Sequence, residues 1–309
     1  MLPETVSVIL FGGNPVKEVV LSSKLGKFNV QHKGSNLLVN GEVRRSFSIS
    51  NATVLKPISA TFKGVIVLSA EKEGISVINR VPIEDYLASV MASEMGNAPL
   101  EALKAQAVLA RTFLVRWGLR HGKAHACDAD HCQVYKGSNP ANKEHYRAVR
   151  ETDGEVLFYG DKPVEVLFHS SCGGWICEPK YVWKGGRELP YFWTGEDTDC
   201  FSDHNSAWKV FVPLKVCPTV RRIPGTLRAY MMVIENDTLY ANDFRKRFNL
   251  PSAVFAYWCS TSGVIFIGTG KGHGTGLCQR GAILKAQKGW SYMEILNFYY
   301  KGARILKIK

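Results

Sequence analysis

The amino-acid sequence predicts an α+β fold, and three stretches of the chain carry that prediction. Residues 5–80 alternate apolar and polar side chains between turn signals, which is typical of β-strands. Residues 82–118 change to apolar positions three and four apart, which indicates helices. Residues 226–270 return to the strand pattern, and residues 281–300 are helical again. We therefore expect a β-rich N-terminal part, followed by a helical hairpin that packs on mixed or antiparallel β structure.

Turn residues divide the strand-rich parts. Asn40–Gly41 lies between apolar runs and is a good hairpin signal, and Glu73–Gly74 marks another turn. A short helix is expected around Asn242–Phe248, inside the second strand-rich block. Residues 137–200 are expected to hold short strands and Gly-rich turns.

Proline and glycine bound the two central helices. Pro82 suits the first turn of the first helix, which Gly96 ends. Pro99 opens the second helix, which runs to about Gly118. A short connection of this kind predicts a helical hairpin.

The length and charge of the chain restrict its partners. With 309 residues, of which 46% are apolar, the chain can bury a hydrophobic core of its own. The formal charge of +12 favours a polyanion, such as nucleic acid, an anionic lipid surface or an acidic wall polymer. No motif of the usual nucleic-acid-binding modules is present, and Gly268–Gly276 does not have the spacing of a phosphate-binding P-loop. Nucleic acid is therefore not an expected partner.

Targeting signals are not visible in the sequence. No window reaches the about 18 apolar residues that a membrane-spanning helix needs. The N-terminus has no basic segment followed by an apolar one, so no signal peptide is expected in this chain. These features leave the compartment open between the cytosol, a trimmed exported chain and an unrecognised export route.

Glu94 is the first candidate catalytic residue. It lies seven residues after Leu87 and four after Val90, on the apolar face of its helix. Burial raises the pKa of a carboxyl group, and a raised pKa suits a general acid near neutral pH. The alternative is an end-of-helix residue that bonds to water or to Asn97.

Arg111 has a similar inward position on the second helix, four residues after Ala107 and three before Leu114. A guanidinium that faces inward needs a carboxylate partner. We therefore expect Arg111 to approach Glu94 across the hairpin. The alternative is an arginine that extends from the edge of the apolar stripe to water.

The segment after the hairpin concentrates metal-binding side chains. Cysteine thiolates and histidine imidazoles are preferred zinc ligands, and four of them form a closed structural site. The firmer ligand candidates are Cys127, His131 and Cys132, and the fourth is His121 or His125. The alternative is unpaired or disulfide-forming thiols.

Two further clusters combine histidine with glycine. His169–Gly174 follows an apolar strand and places small residues where backbone amides can face a ligand. Gly268–Ala282 surrounds a histidine with glycines, which lets the backbone approach a ligand closely. For the first cluster the alternatives are a structural turn, a thiol nucleophile, or a disulfide of Cys172 with Cys177 or Cys200.

The order of these motifs resembles the SpoIID/LytB family, which comprises stage II sporulation protein D and amidase-enhancer domains. The matching segments are Val81–Leu87, Ala92–Met95, Glu101–Thr112, His131–Tyr135, His169–Gly174 and Gly272–Ala282. The resemblance covers about residues 75–305, whereas the N-terminal β region matches loosely. We therefore expect a β-rich region at 1–78 and a SpoIID-type catalytic domain at 79–309, with residues 205–270 as a candidate β-rich sub-domain.

The resemblance implies a lytic transglycosylase that cuts peptidoglycan between N-acetylmuramic acid and N-acetylglucosamine, often on glycan strands without stem peptides. The family's essential glutamate falls on Glu94, its supporting arginine on Arg111 and its zinc-ligand loop on Cys127–Cys132. A structural zinc ion is accordingly the expected cofactor. One carboxyl group suffices for this reaction because the muramyl 6-hydroxyl is the internal nucleophile. The residues expected to bind the glycan are Gln106, Tyr135, His169, Ser170, Gly173, Gly174, His273 and Gln279.

The family also contains amidase enhancers, so a non-catalytic cell-wall binding module is the alternative function. The expected partners are peptidoglycan strands, an amidase or other wall hydrolase, and the envelope surface. The sequence departs from the family at Cys172, which replaces a small residue, and at Trp193, where relatives commonly carry a basic residue. Additional cysteines at 177, 200 and 217 suggest disulfides and hence an extracytoplasmic site.

Overall fold

The computed structural model describes residues 2–129, 131–138, 140–201 and 204–308. The strands are β1 (Thr5–Ile9), β2 (Glu18–Ser23), β3 (Gly26–Lys33), β4 (Asn36–Val39), β5 (Glu42–Arg44), β6 (Ser46–Lys56), β7 (Ala60–Glu71), β8 (Gly74–Pro82), β9 (Ala126–Cys127), β10 (Glu155–Tyr159), β11 (Lys162–Pro163), β12 (Phe168–His169), β13 (Trp175–Ile176), β14 (Gly195–Glu196), β15 (Ala207–Val212), β16 (Thr219–Arg222), β17 (Ala229–Ile234), β18 (Asp237–Tyr240), β19 (Val254–Ser260), β20 (Gly263–Thr269), β21 (Leu277–Cys278) and β22 (Arg304–Lys307). The helices are α1 (Ile83–Met95), α2 (Leu100–Trp117), α3 (Lys143–Glu151), α4 (Thr198–Phe201), α5 (Ala241–Arg247), α6 (Gln279–Gln287) and α7 (Tyr292–Tyr299). This content confirms the prediction of an α+β fold.

The chain divides into two compact units. Unit 1 comprises Met1–Phe158, Lys162–Val164 and Ile305–Lys309, and unit 2 comprises Tyr159–Asp161 and Glu165–Arg304. The predicted boundary at residue 78 falls inside β8, which pairs with both β7 and β1. Residues on the two sides of position 78 therefore belong to one sheet and one unit.

Unit 1 is built on a nine-stranded sheet of order β5-β4-β3-β2-β6-β7-β8-β1-β9. Its neighbouring strands are antiparallel except β1 and β9, which are parallel. The predicted hairpin at Asn40–Gly41 is confirmed, because it joins β4 to β5. Both residues have positive φ angles, 48° and 93°, as the favoured two-residue hairpin turn requires.

The helical hairpin follows directly from β8, and its predicted boundaries are confirmed. Helix α1 begins after Pro82 and ends at Gly96, and α2 begins after Pro99 and ends at Gly118. Each terminal glycine has a positive φ angle, 57° and 52°, a conformation that glycine adopts without steric cost. The central part of each helix is buried.

Helix α3 was not predicted, since short strands and turns were expected at its position. It exposes most of its charged side chains and buries His145, Ala148 and Val149. Asn142 caps its N-terminus, because the Asn142 side chain accepts from the backbone N–H groups of Glu144 and His145. Few apolar residues remain to show a helical period, so the pattern is weak in sequence although α3 packs against both α1 and α2.

Unit 2 contains several small sheets. Residues 207–269 form two three-stranded sheets, of order β15-β20-β19 and β16-β17-β18. These sheets and α5 share a core that includes Met232, Phe244, Phe255 and Phe266. A disulfide joins Cys217 to Cys259. The short helix expected around Asn242–Phe248 is α5 and is confirmed.

The helical C-terminal stretch is interrupted, which the sequence pattern missed. Helix α6 ends at Gln287, and α7 starts at Tyr292. The Ser291 side chain accepts a hydrogen bond from the backbone N–H of Glu294, and the Glu294 side chain accepts one from the backbone N–H of Ser291, which caps the start of α7. Gly289 has a φ angle of 87°, which does not occur inside an α-helix. Among the described helices, none combines the length and the apolar character of a membrane span.

Candidate functional site

Glu94 lies in the last turn of α1 and is half-buried. Its Oε1 atom accepts a hydrogen bond from the backbone N–H of Val134 over 2.9 Å. Because a backbone donor is fixed by the fold, this bond holds the carboxyl group in one orientation while part of the side chain stays accessible. A general acid requires a carboxyl group of that kind.

The segment that reaches Glu94, Gln133–Tyr135, is anchored at both ends. Its first residue accepts a hydrogen bond from the Tyr86 hydroxyl over 2.9 Å, and its last donates one to Asn79 Oδ1 over 2.6 Å. Burial raises the pKa of Tyr86 well above its ordinary value, so this hydroxyl stays protonated and donates. Helix α1 and strand β8 thus fix the backbone donor of Glu94.

Arg111 reaches partners other than the expected Glu94. The guanidinium is 2% exposed and donates to the backbone carbonyls of Glu155 and Val149 over 3.0 and 3.3 Å. Burial lowers its pKa to about 10, so it remains protonated at neutral pH. Arg111 therefore ties α2 to the end of α3 and the start of β10, because the carbonyls at a helix C-terminus lack intrahelical donors. The expected approach to Glu94 is wrong.

Four metal-binding side chains converge in the loop after α2. The ligand atoms of His121, Cys127, His131 and Cys132 all lie within 4.8 Å of one another. His121 Nε2 is 3.1 Å from Cys132 Sγ, and Cys127 Sγ is 3.4 Å from His131 Nε2. Burial lowers the pKa of His121, which favours the neutral imidazole that a metal binds. This donor set could hold a tetrahedral zinc ion.

His125 lies outside that group, so the geometry favours His121 as its fourth member. His125 Nδ1 accepts a hydrogen bond from the backbone N–H of Ser7 over 3.1 Å. Strand β9 pairs with β1, and the Asp128 carboxylate accepts from the backbone N–H of Phe11 over 2.7 Å. These bonds fix the loop on the end of β1. Residue 130, within the predicted ligand loop, lies outside the described residues.

The eight residues predicted to bind glycan differ in exposure. Ser170 is exposed and His273 half-buried, so among these eight they are the side chains open to a ligand. The buried ones are Gln106, Tyr135, His169, Gly173, Gly174 and Gln279. A buried residue can shape a cleft but presents little surface to a sugar, so direct contact by these six stays a prediction.

In unit 2, β12 and β21 pair in parallel and set His169 beside Cys278. Gly276 permits the close approach of the two strands. Its φ angle is 70°, and a Cβ atom there would lie 2.0 Å from the carbonyl oxygen of Leu167. The glycine density around His273 is therefore needed for backbone packing.

His273 is a neutral imidazole with both ring nitrogens engaged. Nδ1 accepts from the backbone N–H of Thr275 over 3.1 Å, and Nε2 donates to the carbonyl oxygen of Phe168 over 2.9 Å. Burial lowers the pKa of His273 to about 3. Its ring lies 5.3 Å from that of Trp183, which lines a cavity of about 310 Å³ together with Glu165, Leu167, Pro179, Lys184, Gly185, Gly186 and Arg187.

Buried Arg228 connects the two Gly-rich clusters and has no signal in the sequence. Its guanidinium donates to the backbone carbonyls of Cys172, Trp175 and His273 over 3.0, 3.0 and 3.1 Å. A Cβ atom at Gly274 would lie 2.2 Å from this guanidinium. The glycine is therefore required for the arginine to reach the loop.

A buried ion pair in unit 2 was also missed. Lys285 Nζ lies 2.5 Å from an oxygen of Asp197, and the two side chains are 1% and 0% exposed. Lys285 also contacts Asp199 over 2.9 Å, and the Tyr299 hydroxyl donates to Asp197 over 2.6 Å. Lys285 lies three residues after buried Ala282 and therefore on the same face of α6. This helical spacing, which identified Glu94 on α1, could also have identified Lys285 as a buried charge.

The two departures from the family pattern have defined surroundings. Trp193 donates from Nε1 to the carbonyl oxygen of Phe298 over 2.7 Å, and Lys301 Nζ lies 3.8 Å from the centre of its ring. A packed indole with a lysine on one face is a cation–π arrangement. Cys172 is a free buried thiol.

Disulfides were predicted for cysteines 177, 200 and 217, and one of these three predictions is correct. Cys217 is disulfide-bonded, to Cys259. Cys177 and Cys200 are free buried thiols, so the expected disulfides at these two positions are wrong.

Comparison with known proteins agrees with the motif order. The family model described as stage II sporulation protein matches residues 71–159, which contain Glu94, Arg111 and the metal-binding loop. Stage II sporulation protein D of Bacillus subtilis is 30% identical over 298 residues, which cover 84% of this chain and 85% of that protein. The chain belongs to the stage II sporulation protein D family.

Two other relatives are a second stage II sporulation protein D and a protein of a different name, an amidase enhancer. Stage II sporulation protein D of Bacillus amyloliquefaciens is 32% identical over 261 residues, covering 74% of this chain and 75% of that protein. An amidase enhancer of Bacillus subtilis is 25% identical over 291 residues, covering 71% of this chain and 40% of that protein. The predicted membership of the stage II sporulation protein D family is thus confirmed.

Proposed function

We propose that this chain is a lytic transglycosylase that cuts peptidoglycan glycan strands between N-acetylmuramic acid and N-acetylglucosamine. Its substrate is glycan without stem peptides, and it acts in septal or envelope remodelling. The observation that carries the proposal is the half-buried carboxyl group of Glu94, held in one orientation by the Val134 N–H over 2.9 Å. Family membership supports the choice of a cell-wall substrate.

In the proposed reaction, Glu94 acts first as an acid and then as a base. The protonated carboxyl group gives its proton to the glycosidic oxygen, and the bond between that oxygen and the muramyl C1 breaks. The muramyl 6-hydroxyl oxygen bonds to C1, and its proton passes to the Glu94 carboxylate. The products are an N-acetylglucosamine 4-hydroxyl end and a 1,6-anhydromuramyl end, and no water is consumed.

Arg111 supports the proposed reaction through the backbone that it ties together. A buried cation bonded to the carbonyls of Val149 and Glu155 fixes α2 against α3 and β10. We assign it as a positioning residue, since its described partners are backbone carbonyls.

Unit 2 offers a surface suited to a sugar. Trp183 is half-buried beside His273 and lines the cavity of about 310 Å³. Sugar rings pack on aromatic faces, and Glu165 and Arg187, which form an ion pair with each other, lie in the same lining. This supports glycan binding by unit 2, in which Ser170 is the exposed member of the predicted set.

Product chemistry tests the proposed reaction directly. The purified full chain is incubated with glycan strands from which an amidase has removed the stem peptides, and the fragments are identified by mass spectrometry. We expect muramyl ends that are one water lighter than the ends left by a hydrolase. Reducing, hydrated muramyl ends would assign the chain to hydrolases, and intact strands would favour the second function below.

An amidase enhancer is the second candidate function, because one relative carries that name. Burial of six of the eight residues predicted to bind glycan, two of them glycines, is also compatible with a protein that binds wall without cutting it. In this case the isolated chain leaves denuded strands intact but raises the rate of a wall amidase. That stimulation would survive the change Glu94→Ala.

We further propose that His121, Cys127, His131 and Cys132 hold a structural zinc ion. Their Cys2His2 donor set and mutual distances within 4.8 Å fit tetrahedral coordination. Bound there, the ion would cross-link a loop that has little regular structure of its own. Cys132 lies two residues before Val134, so the same cross-link would steady the donor of Glu94.

The change Cys132→Ser is expected to remove about one zinc ion per chain and to lower the melting temperature, since three ligands bind far more weakly than four. Elemental analysis and differential scanning calorimetry measure both effects. The matched control is His125→Gln, a loop histidine outside the donor set, which should keep its zinc. Equal zinc content in the two variants would contradict the site.

An extracytoplasmic location follows from the proposed substrate. The disulfide between Cys217 and Cys259 supports it, because such bonds persist in oxidising compartments. The net charge of +12 supports attraction to an anionic envelope. An amidase that strips stem peptides is the proposed partner, since it would supply the denuded substrate.

A further inference from the structure

Unit 2 contains a second group of metal-binding side chains, far more buried than the loop of unit 1. The ligand atoms of His169, Cys172 and Cys278 all lie within 4.8 Å of one another, and all three residues are buried. The sulfur of a fourth buried residue, Cys200, is 3.7 Å from that of Cys278. Parallel pairing of β12 with β21 makes His169 and Cys278 neighbours, so the fold itself assembles the group.

The orientation of His169 indicates a missing ligand. Its Nδ1 lies 3.1 Å from the carbonyl oxygen of Thr275, so Nδ1 carries the proton and Nε2 carries a lone pair. His169 is 5% exposed, and within the described residues Nε2 has no hydrogen-bond partner. A buried acceptor without a partner is costly. Histidine ligands of metals commonly anchor one ring nitrogen on a carbonyl and offer the other to the ion.

Cys278 lies in surroundings that suit a thiolate, whereas the Cys172 thiol donates to Asp197 Oδ2 over 3.7 Å. Cys278 Sγ accepts hydrogen bonds from the backbone N–H groups of Cys172 and Gly281 over 3.2 and 3.3 Å. Arg228 donates to the carbonyl oxygen of Cys172 over 3.0 Å, which brings a buried positive charge to the group. Backbone N–H groups and a buried cation both stabilise negative charge on sulfur.

We infer that His169, Cys172, Cys200 and Cys278 bind one zinc ion as a closed structural site. Three cysteines and one histidine are a common donor set of structural zinc. With Zn–S bonds of about 2.3 Å, tetrahedral coordination places sulfur atoms about 3.8 Å apart, close to the 3.7 Å between Cys200 and Cys278. On binding, three thiol protons pass to solvent, and Zn²⁺ takes three thiolates and the Nε2 lone pair.

A disulfide is the competing use of these sulfurs and explains fewer observations. Three sulfur atoms can form one disulfide, which leaves a third thiol alone and His169 Nε2 still without a partner. Zinc engages all four groups at once. It would also keep the thiols reduced in the oxidising compartment that the disulfide between Cys217 and Cys259 indicates. His169 would then hold metal and not glycan, whichever function the chain has.

Zinc content of matched variants tests the inference. The full chain, purified with zinc present, is compared by elemental analysis with Cys172→Ser and Cys278→Ser. We expect each change to remove about one zinc ion per chain. The control is Cys177→Ser, a buried thiol of the same unit whose sulfur lies 3.9 Å from the Thr275 hydroxyl, and it should keep the wild-type content. Equal zinc content in wild type and Cys172→Ser would overturn the site.

Two measurements on the unmodified chain decide the question if the variants do not fold. X-ray absorption should show more sulfur than nitrogen around zinc, whereas the loop of unit 1 alone would supply two of each. Peptide mapping without reductant should find Cys172, Cys200 and Cys278 as thiols. A disulfide between any two of them in zinc-replete protein, or a zinc shell with equal sulfur and nitrogen, would refute the proposal.

Discussion

Replacement of Glu94 by glutamine is expected to reduce cleavage of denuded glycan strands by about 100-fold or more, the range usual for loss of a general acid. The amide keeps an oxygen that can accept from the Val134 N–H, so the local structure should persist. It has no proton of suitable acidity for the glycosidic oxygen. The rate of anhydromuramyl product formation, followed by mass spectrometry, measures the effect.

The control for this change is Glu144→Gln, the same substitution at a carboxylate of α3 in the same unit whose side chain is 44% exposed. That variant should cleave strands at the wild-type rate, and both variants should have wild-type melting temperatures. If Glu94→Gln releases the same products at the same rate, Glu94 is not the acid. A stable Glu94→Gln variant that cleaves slowly while binding strands normally would separate chemistry from substrate binding.

Replacement of Lys285 by methionine is expected to destabilise unit 2 by about 3–5 kcal/mol, the usual cost of breaking a buried ion pair from one side. Asp197 is 0% exposed and loses its cation 2.5 Å away. The Tyr299 hydroxyl, at 2.6 Å, is then left as a neutral donor to a buried charge. Chemical denaturation followed by circular dichroism measures the change in free energy of unfolding.

Lys288→Met is the matched control, because Lys288 pairs with Asp199 but is 62% exposed. Exposed pairs contribute about 0–1 kcal/mol, so this change should have little effect. The double change Asp197→Asn with Lys285→Met should cost less than Lys285→Met alone, because no unpaired charge is left buried. Equal losses for Lys285→Met and Lys288→Met would show that burial of the pair is irrelevant to stability.

Features encoded by neighbouring residues were predictable from the sequence. The helices α1 and α2 were located by Pro82, Gly96, Pro99 and Gly118, since proline and glycine act on the backbone within one turn. The hairpin at Asn40–Gly41 has the same local origin. Helix α3 and the break before α7 were missed because their capping interactions outweigh a weak apolar pattern.

Side chains whose partners are distant in sequence could not be assigned. Arg111 and Glu94 lie on adjacent helices, yet Arg111 bonds to carbonyls at positions 149 and 155. His125 and His121 have equal claims in sequence. The backbone N–H of Ser7, 118 residues away, donates to His125. His121 is the histidine that lies in the metal-binding group.

The fold class, the helical hairpin, the family and the types of residue in the loop after α2 could all be predicted from the amino-acid sequence. Each of these follows from periodicity, backbone restriction or motif order, which are properties of consecutive residues. Which side chains share a partner depends on the packing of the folded chain. In the folded chain the Val134 N–H donates to Glu94, and Arg228 donates to three backbone carbonyls. The sulfur of Cys200 lies next to that of Cys278. Such contacts depend on the burial and register of strands far apart in the chain, which no local pattern records.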